Sequence, residues 1–237
     1  MKEIYEPQFV EDLFDEMSSS YSKMNYITSF GFSERWRRQC VEEIKIEKGQ
    51  TVVDLMTGMG ECWPYIIKKS GENSKLIALD FSTEMLKRAA QRKTKLKSSN
   101  IQLLKENIFD NSIKNESVDI VISGFGLKTF NNGQLAKLAS EIERILKKNG
   151  QFSLIDVSVP KNRLLRFWYM FYLKHIIPIL GKLFLGNPET YKMLGIYTEK
   201  FENSKNVYRI FQRTNFEIEY VNYFFGCASG IKGKKIK

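Results

Sequence analysis

Short apolar runs alternate with helical patterns along the chain as far as Ser158. The runs are TVVDLM, KLIALD, IQLLKE, VDIVIS and GQFSLIDVS, and patterns such as STEMLKRAAQRK and GQLAKLASEIERILKKNG lie between them. Apolar runs of this length predict buried strands, and strands that alternate with helices predict a parallel sheet covered on both faces. The sequence therefore predicts a doubly wound α/β fold, with its ligand beyond the carboxyl ends of the strands.

The last of these helical patterns has a regular apolar face. Its members are Leu135, Leu138, Ile142 and Leu146. The spacing predicts an amphipathic helix that continues through Leu146, and Gly150 is expected to stop it.

Composition favours one elaborated cytoplasmic domain. The chain has 237 residues, of which 43% are hydrophobic, and this is enough for a full core. The three cysteines lie far apart, so neither a disulfide framework nor a metal site is expected. The start, MKEIYEPQFVEDLFDEM, lacks the basic and then apolar order of a signal peptide, so export is not expected.

The net charge of +10 is concentrated late in the chain, because the residues from Lys161 onward include 14 Lys and Arg against 5 Glu. A basic region of this kind can face nucleic acid or anionic lipid, and the alternative is an ordinary solvated face. The region has no recognisable nucleic-acid module. We therefore expect no nucleic-acid partner.

The stretch VVDLMTGMGEC joins an apolar run to two glycines. A strand that turns through Gly58 and Gly60 brings bare backbone close to a ligand, which suits dinucleotides, phosphates and S-adenosylmethionine alike. A dinucleotide site needs a third glycine where this chain has Trp63, and the Gly-Lys-Ser/Thr of a phosphate loop is absent. A nicotinamide cofactor is therefore disfavoured.

Residues at the ends of the next two strands narrow the choice of ligand. Asp80 ends the second strand, where a carboxylate can accept both hydroxyls of a ribose, and Asn107 and Ile108 follow the third, where they can address an adenine edge. These features together suit S-adenosylmethionine. The alternatives are that Asp80 only caps the next helix and that Asn107 is an ordinary turn residue.

Six motifs follow one another along almost the whole chain: LFDEMSSSYSKMNYITSFGFSERWRR, VVDLMTGMGE, LDFSTEML, FGLKTF, ERILKKNG and GKLFLGNPETYKML. In content and order they resemble the class I methyltransferases that C-methylate the ring in ubiquinone and menaquinone biosynthesis. The resemblance implies a Rossmann-like, seven-stranded, mostly parallel sheet with N-terminal helices and a helical lid insertion. It implies a helical cap over 1–48, a cofactor-binding core over 49–160, a lid over 161–202 and a C-terminal helix and strands over 203–237.

The resemblance also implies site residues. The cofactor-binding set is Asp54, Gly58, Met59, Gly60, Asp80, Phe81, Met85, Asn107, Ile108 and Gly124. Tyr21, Lys128 and His175 are the candidate catalytic residues, and the alternatives for them are a half-buried core tyrosine, a solvated loop lysine and a packing histidine. Lys128 and Thr129 stand where family members usually have Arg-Asn, so we expect a mobile point charge in place of a fixed planar fork.

The segment FWYMFYLKHIIPILGKLFLG approaches membrane-spanning length, but Lys174, His175, Pro178 and Lys182 interrupt it. We expect a mobile apolar lid over Phe167 to Leu185 rather than a transmembrane helix; a helix buried against the core is the alternative. The expected partners are a small hydrophobic ring substrate, with or without a prenyl tail, an anionic membrane touched peripherally at its inner face, and a second copy of the chain.

The function predicted from the sequence is S-adenosylmethionine-dependent C-methylation of a hydrophobic, hydroxylated ring. Two alternatives remain open at this point. One is an O- or N-methyltransferase of a secondary metabolite, and the other is a protein on the same fold that binds the cofactor as a non-methylating catalyst or assembly partner.

Overall fold

The computed structural model describes residues 4–71, 74–96, 100–183 and 187–237. The strands span Val52–Leu55 (β1), Leu76–Asp80 (β2), Ile101–Lys105 (β3), Val118–Gly124 (β4), Leu146–Val157 (β5), Phe216–Tyr223 (β6) and Ala228–Lys235 (β7). The α-helices span Pro7–Met17 (α1), Tyr21–Thr28 (α2), Phe32–Glu42 (α3), Trp63–Ser70 (α4), Thr83–Lys95 (α5), Asn132–Ile145 (α6), Arg163–Phe171 (α7), Ile177–Leu183 (α8), Pro188–Phe201 (α9) and Lys205–Phe211 (α10).

All seven strands belong to one sheet, in the order β3-β2-β1-β4-β5-β7-β6. Strands β1 to β5 run parallel to one another. Strand β7 runs antiparallel to both β5 and β6. The carboxyl ends of β1 to β5 therefore meet at one edge, which is where parallel α/β sheets bind ligands. The predicted fold class is confirmed.

Each face of the sheet packs against its own helices. On one face, Trp36 of α3 and Trp63 of α4 belong to a buried cluster with the strand residue Ile122. On the other face, Leu138 of α6 packs in a cluster with the strand residue Val121. Full burial of one such side chain stabilises the fold by about 1.5 to 3 kcal/mol, so these two layers hold the sheet rigid.

A third cluster lies apart from the sheet faces. It joins Met17 and Tyr21 from the first helices to Met85 of α5, Ile177 of α8 and Tyr191 of α9. Segments from both ends of the chain thus pack together around the start of α5, next to the carboxyl edge of the sheet.

The helix predicted through Leu146 is shorter in the structure. Helix α6 ends at Ile145, and Leu146 opens β5 by pairing with Val118 before an irregularity in the register. Asn149 adopts a positive φ of 66° just before Gly150, so the backbone turns there within a strand. Leu146 fits the helical apolar pattern because its side chain is buried in the same core.

The region of the predicted lid is helical over Arg163 to Leu183, and residues 184–186 at its end lie outside those described. A π-helical turn, Tyr172–Ile176, separates α7 from α8. Pro178 has no N–H for the carbonyl of Lys174, which accounts for an irregular turn at this place. In the part of the chain that the structure describes, no helix is both long and apolar enough to cross a bilayer.

The turn after β1 has a left-handed backbone at Met56, Gly58 and Gly60. A Cβ atom on Gly60 would lie 2.5 Å from the indole of Trp63. That indole donates a hydrogen bond to Thr57 Oγ1 (2.8 Å), and the Thr57 hydroxyl donates to Asp54 Oδ2 (2.5 Å). Trp63 therefore packs against this turn and holds its backbone conformation.

We expect Gly60→Ala to lower the free energy of unfolding by about 2 to 4 kcal/mol, because left-handed strain adds to a clash with Trp63. Gly49 is the matched control, since it also has a positive φ but no atom lies within 4 Å of its Cβ position. Gly49→Ala should cost about 1 to 2 kcal/mol from backbone strain alone. Urea unfolding measures both, and equal losses would contradict the role given to Trp63.

Candidate active site

A first cavity of about 860 Å³ opens at the carboxyl edge of the sheet. Its wall includes these predicted cofactor-binding residues: Gly58, Asp80, Phe81, Met85, Asn107, Ile108 and Gly124. Tyr21 also borders it, and α1 covers it with Val10 and Phe14.

Three residues of the predicted set lie behind this wall. Asp54 is buried under the turn, and burial raises the pKa of its carboxyl to about 7. Gly60 lies beneath Trp63, and Met59 packs beside the third cluster. These residues shape the turn from behind the cavity surface.

Asp80 holds two backbone segments together. Its Oδ2 accepts a hydrogen bond from Gly58 N (2.8 Å), and its Oδ1 accepts one from Ser82 N (3.0 Å). Burial raises the pKa of Asp80 to about 6, against the lowering effect of these hydrogen bonds. The N-cap of α5 is Ser82, whose hydroxyl accepts from Met85 N, so Asp80 is not the helix cap. Its carboxylate borders the cavity and has lone pairs left to accept further donors.

Asn107 and Ile108 also line this cavity, just after β3. The Asn107 side-chain oxygen accepts a hydrogen bond from Phe109 N (2.9 Å), so Asn107 is a turn residue as well as a wall residue. Its amide group stays exposed, and Ile108 is buried beside it. The predicted pair is thus adjacent and faces the same cavity as Asp80.

Two charged residues of the wall were missed by sequence reasoning. Arg37 and Glu61 are both buried and border the first cavity, with 3.9 Å between Arg37 Nη2 and Glu61 Oε1. Glu61 also accepts hydrogen bonds from the Ser22 hydroxyl (2.8 Å) and from Met59 N (3.1 Å). The Arg37 guanidinium lies 4.8 Å from the centre of the Phe125 ring.

A signal for Arg37 existed in the helical pattern. Ser33, Trp36, Arg37 and Cys40 occupy the buried face of α3, so this arginine sits at the spacing of core residues. A cation on an apolar face needs a buried partner. The local spacing offers Glu34, which pairs with Arg37 at 3.1 Å but is partly exposed, whereas the buried Glu61 comes from the turn after β1 and no local pattern indicates it.

A second cavity of about 1280 Å³ adjoins the first. Tyr21 and Phe125 border both cavities and so form their common wall. Aromatic and aliphatic side chains dominate the rest of the lining, among them Trp36, Trp168 and Leu173. Burial raises the pKa of Tyr21 to about 12, so its hydroxyl stays protonated near neutral pH.

Lys128 is an inner wall residue of the second cavity. Its ammonium lies 2.9 Å from Asp156 Oδ1 and donates to Phe125 O at 2.9 Å, while its backbone N–H donates to Asp156 Oδ2 at 2.9 Å. The expectation of a mobile point charge is wrong, because the lysine and its carboxylate partner are both buried. The alternative of a solvated lysine is wrong for the same reason.

The loop that carries Lys128 is tightly packed against the glycine turn. A Cβ atom on Gly126 would lie 2.4 Å from the sulfur of Met56. The backbone of this loop is also bound at Phe125, whose N–H donates to Ile155 O at 2.8 Å. The two loops therefore touch directly at the edge of the sheet.

His175 is not brought to the site. It lies exposed in the π-helical turn, with its ring 5.0 Å from that of Phe171. His175 is not one of the described residues that line the two cavities. The expectation of a catalytic histidine is not supported by this geometry. The ring packs against Phe171, as the alternative of a packing histidine expected, but the residue is exposed and not part of the core.

A model of the ubiE/COQ5 methyltransferase family matches residues 1–235. The chain belongs to this family. It is therefore a methyltransferase, and its cofactor is S-adenosylmethionine. The resemblance seen in the sequence is confirmed, and the alternative of a non-methylating protein is disfavoured.

Curated relatives match this family member over nearly its whole length. A demethylmenaquinone methyltransferase from Oceanobacillus iheyensis is 31% identical over 227 residues, which cover 95% of this chain and 94% of the relative. One from Staphylococcus carnosus is 31% identical over 233 residues, covering 98% and 95%.

Solved structures share the fold. An Aquifex aeolicus SAM-dependent methyltransferase aligns with a TM-score of 0.60 at 21% identity, covering 84% of this chain and 89% of that one. A Streptomyces coelicolor geranyl diphosphate C-methyltransferase, solved with S-adenosyl-L-homocysteine, aligns with a TM-score of 0.59 at 13% identity, covering 86% and 79%.

Proposed function

We propose that this methyltransferase transfers a methyl group to a ring carbon of a hydrophobic, hydroxylated acceptor of the demethylmenaquinol or ubiquinol-precursor type. The observation that carries the proposal is the common wall of Tyr21 and Phe125 between the two cavities. A cofactor in the first cavity would face an acceptor in the second across this wall. The names of the curated relatives, demethylmenaquinone methyltransferases, support the same acceptor class.

The first cavity fits the cofactor in shape and in charge. Gly58 lines the cavity with no side chain to obstruct a ligand, and Asp80 offers carboxylate oxygens for ribose hydroxyls. Asn107 and Ile108 suit the adenine edge. Arg37 and Glu61 are a buried cation and anion in the same wall, and they suit the carboxylate and the ammonium of the amino-acid end.

The cofactor, when bound, supplies an electrophilic methyl group, so the chain has to position the acceptor and stabilise charge on its oxygen. Lys128 suits the second task. An ammonium has three N–H donors. Among the described residues, Asp156 Oδ1 and Phe125 O each accept a hydrogen bond from one of them. The remaining donor can bond the acceptor oxygen as its negative charge develops.

Tyr21 suits the positioning of the acceptor. Its protonated hydroxyl can hydrogen-bond a ring oxygen, and its ring limits the access of water between the cavities. The overall reaction replaces a ring C–H bond by a C–CH₃ bond and releases one proton. O- or N-methylation remains the alternative, and no specific contact favours it.

The enzyme is proposed to work at the inner face of an anionic membrane, where a prenylated acceptor resides. The late basic surplus supports this location, since cationic surfaces bind anionic leaflets. A mobile lid over Phe167 to Leu185 and a homodimer stay predictions.

Incubation of the protein with methyl-labelled S-adenosylmethionine and a bacterial lipid extract tests the proposed function. We expect the label in a quinol-type lipid, on a ring carbon. Label on oxygen or nitrogen would replace the proposal by the alternative reaction, and label only in water-soluble compounds would contradict the lipid acceptor.

We expect Asp80→Ala to weaken binding of S-adenosylhomocysteine by about 2 kcal/mol, because hydrogen bonds to a charged group are lost. Calorimetry measures the affinity. Glu106→Ala is the matched control, since Glu106 also binds a backbone N–H after a strand, that of Ser112 at 2.7 Å, but does not border the first cavity. Equal affinity in wild type and Asp80→Ala would contradict the ribose assignment.

We expect Lys128→Met combined with Asp156→Asn to lower turnover by about 10² to 10³ while cofactor affinity stays nearly unchanged, the pattern of a lost transition-state interaction. The second substitution avoids leaving a buried carboxylate unpaired. Lys128→Arg should retain partial activity.

Lys147→Met is the control for this change, because Lys147 also pairs with an aspartate, Asp119 at 2.8 Å, but borders neither cavity. Steady-state kinetics with a quinol acceptor measure each variant. Unchanged turnover in the double variant would show that Lys128 stabilises no charge in the reaction.

A further inference from the structure

Three phenylalanines on the surface have a left-handed backbone. Phe30 has φ 51° and is 80% exposed, Phe224 has φ 40° and is 47% exposed, and Phe225 has φ 54° and is 78% exposed. A left-handed residue with a Cβ atom costs about 1 to 2 kcal/mol, and here little burial of the side chain offsets the cost. Strain of this kind points to a role outside folding.

Hydrogen bonds in two tight turns hold these residues in place. Gly31 N donates to Tyr26 O at 2.9 Å around Phe30, and Cys227 N donates to Phe224 O at 3.0 Å around the other pair. Both turns flank the second cavity, because Phe30 and Phe224 line it as well as facing outward. The Phe224 ring lies 4.3 Å from that of Phe32, another lining residue.

Helix α7 extends the same apolar surface. None of its residues is buried, and its exposed apolar side chains follow the spacing of a single helix face: Leu164, Phe167, Trp168 and Phe171. Trp168 also lines the second cavity. An amphipathic helix whose apolar face points away from its own protein is typical of helices that lie in a membrane interface.

Two basic side chains of this segment pair with carboxylates: Arg166 lies 3.9 Å from Glu202, and Lys174 lies 2.5 Å from Glu199. Lys161 lies close to the turn that carries Phe224, since a Cβ atom on Gly226 would lie 3.8 Å from Lys161 N. The exposed Lys205 has a pKa lowered by the neighbouring Lys161 and Arg209. Adjacent cations of this kind are complementary to an anionic surface.

We propose that Phe30, Phe224, Phe225 and the outward face of α7 insert into an anionic bilayer, so that the second cavity opens into the acyl chains. A prenyl tail then enters the cavity without crossing water. The identity of the acceptor rests on the proposed function, but the insertion itself does not. The occupant of this surface is therefore lipid.

Replacement by asparagine tests the insertion without adding backbone strain, because asparagine tolerates the left-handed region better than phenylalanine. Phe30→Asn with Phe225→Asn should keep or raise the melting temperature. Its partitioning onto vesicles of phosphatidylcholine and phosphatidylglycerol in equal parts should fall at least about tenfold, since two apolar anchors are lost. Ile236→Asn is the control, because Ile236 is exposed but follows β7 at the other end of the sheet.

Sedimentation measures the partitioning, and brominated lipids add a readout of depth. Trp168 is exposed, whereas Trp36 and Trp63 are buried, so quenching of tryptophan fluorescence by brominated acyl chains reports insertion of α7. Binding should weaken at high salt, because exposed charges are screened. Equal sedimentation of the double variant and wild type, or absence of quenching, would overturn the proposal.

Activity separates this inference from the proposed function. Phe225→Asn alone, at a residue that does not line the second cavity, should methylate a short, water-soluble quinol at the wild-type rate and lose activity only on a tailed quinol in vesicles. If wild type binds vesicles with quenching but methylates neither quinol, the insertion stands and the proposed function fails. If both proteins use the tailed quinol equally well, the surface is not the route of the acceptor and the proposal fails.

Discussion

The hydrogen bonds from Trp63 to Thr57 and from Thr57 to Asp54 fix the carboxyl edge of the sheet. They hold the turn in a left-handed course that side chains at Gly58 and Gly60 would resist. The turn in turn presents the N–H of Gly58 to Asp80, which joins β1 to β2 above the sheet. These hydrogen bonds determine the shape of the first cavity. The Trp63 indole takes the place of the close packing that a third glycine gives in dinucleotide-binding proteins.

The ion pair of Lys128 and Asp156 defines the chemistry of the second cavity. Removing two charges from water costs free energy that can exceed the gain from their mutual attraction. A buried ion pair such as this one is therefore weak evidence for a contribution to stability. Under the proposed function its value is catalytic, because a fixed ammonium next to an apolar cavity needs no reorganisation when charge develops on a ligand. Asp156 supplies this rigidity by binding both the side chain and the backbone of the lysine.

The sequence was sufficient for the fold and for the cofactor cavity, because both depend on local signals. Apolar periodicity marked the five parallel strands, and the residues after them, such as Gly58 and Asp80, meet at one edge by topology alone. Pairings across long sequence separation were not predictable. The partner of Lys128 lies 28 residues away, and Arg37 meets Glu61 only after two elements have packed. The exposure of His175 depends on how α7 and α8 join, which no local pattern encodes.

The contact between Met56 and Gly126 joins two loops at the carboxyl edge of the sheet. One residue belongs to the turn beside the first cavity, and the other to the loop that carries Lys128. A side chain at position 126 requires the thioether of Met56 to move, so substitutions at the two positions are expected to be coupled. A change in the loop that carries Lys128 therefore alters the packing of the turn beside the first cavity.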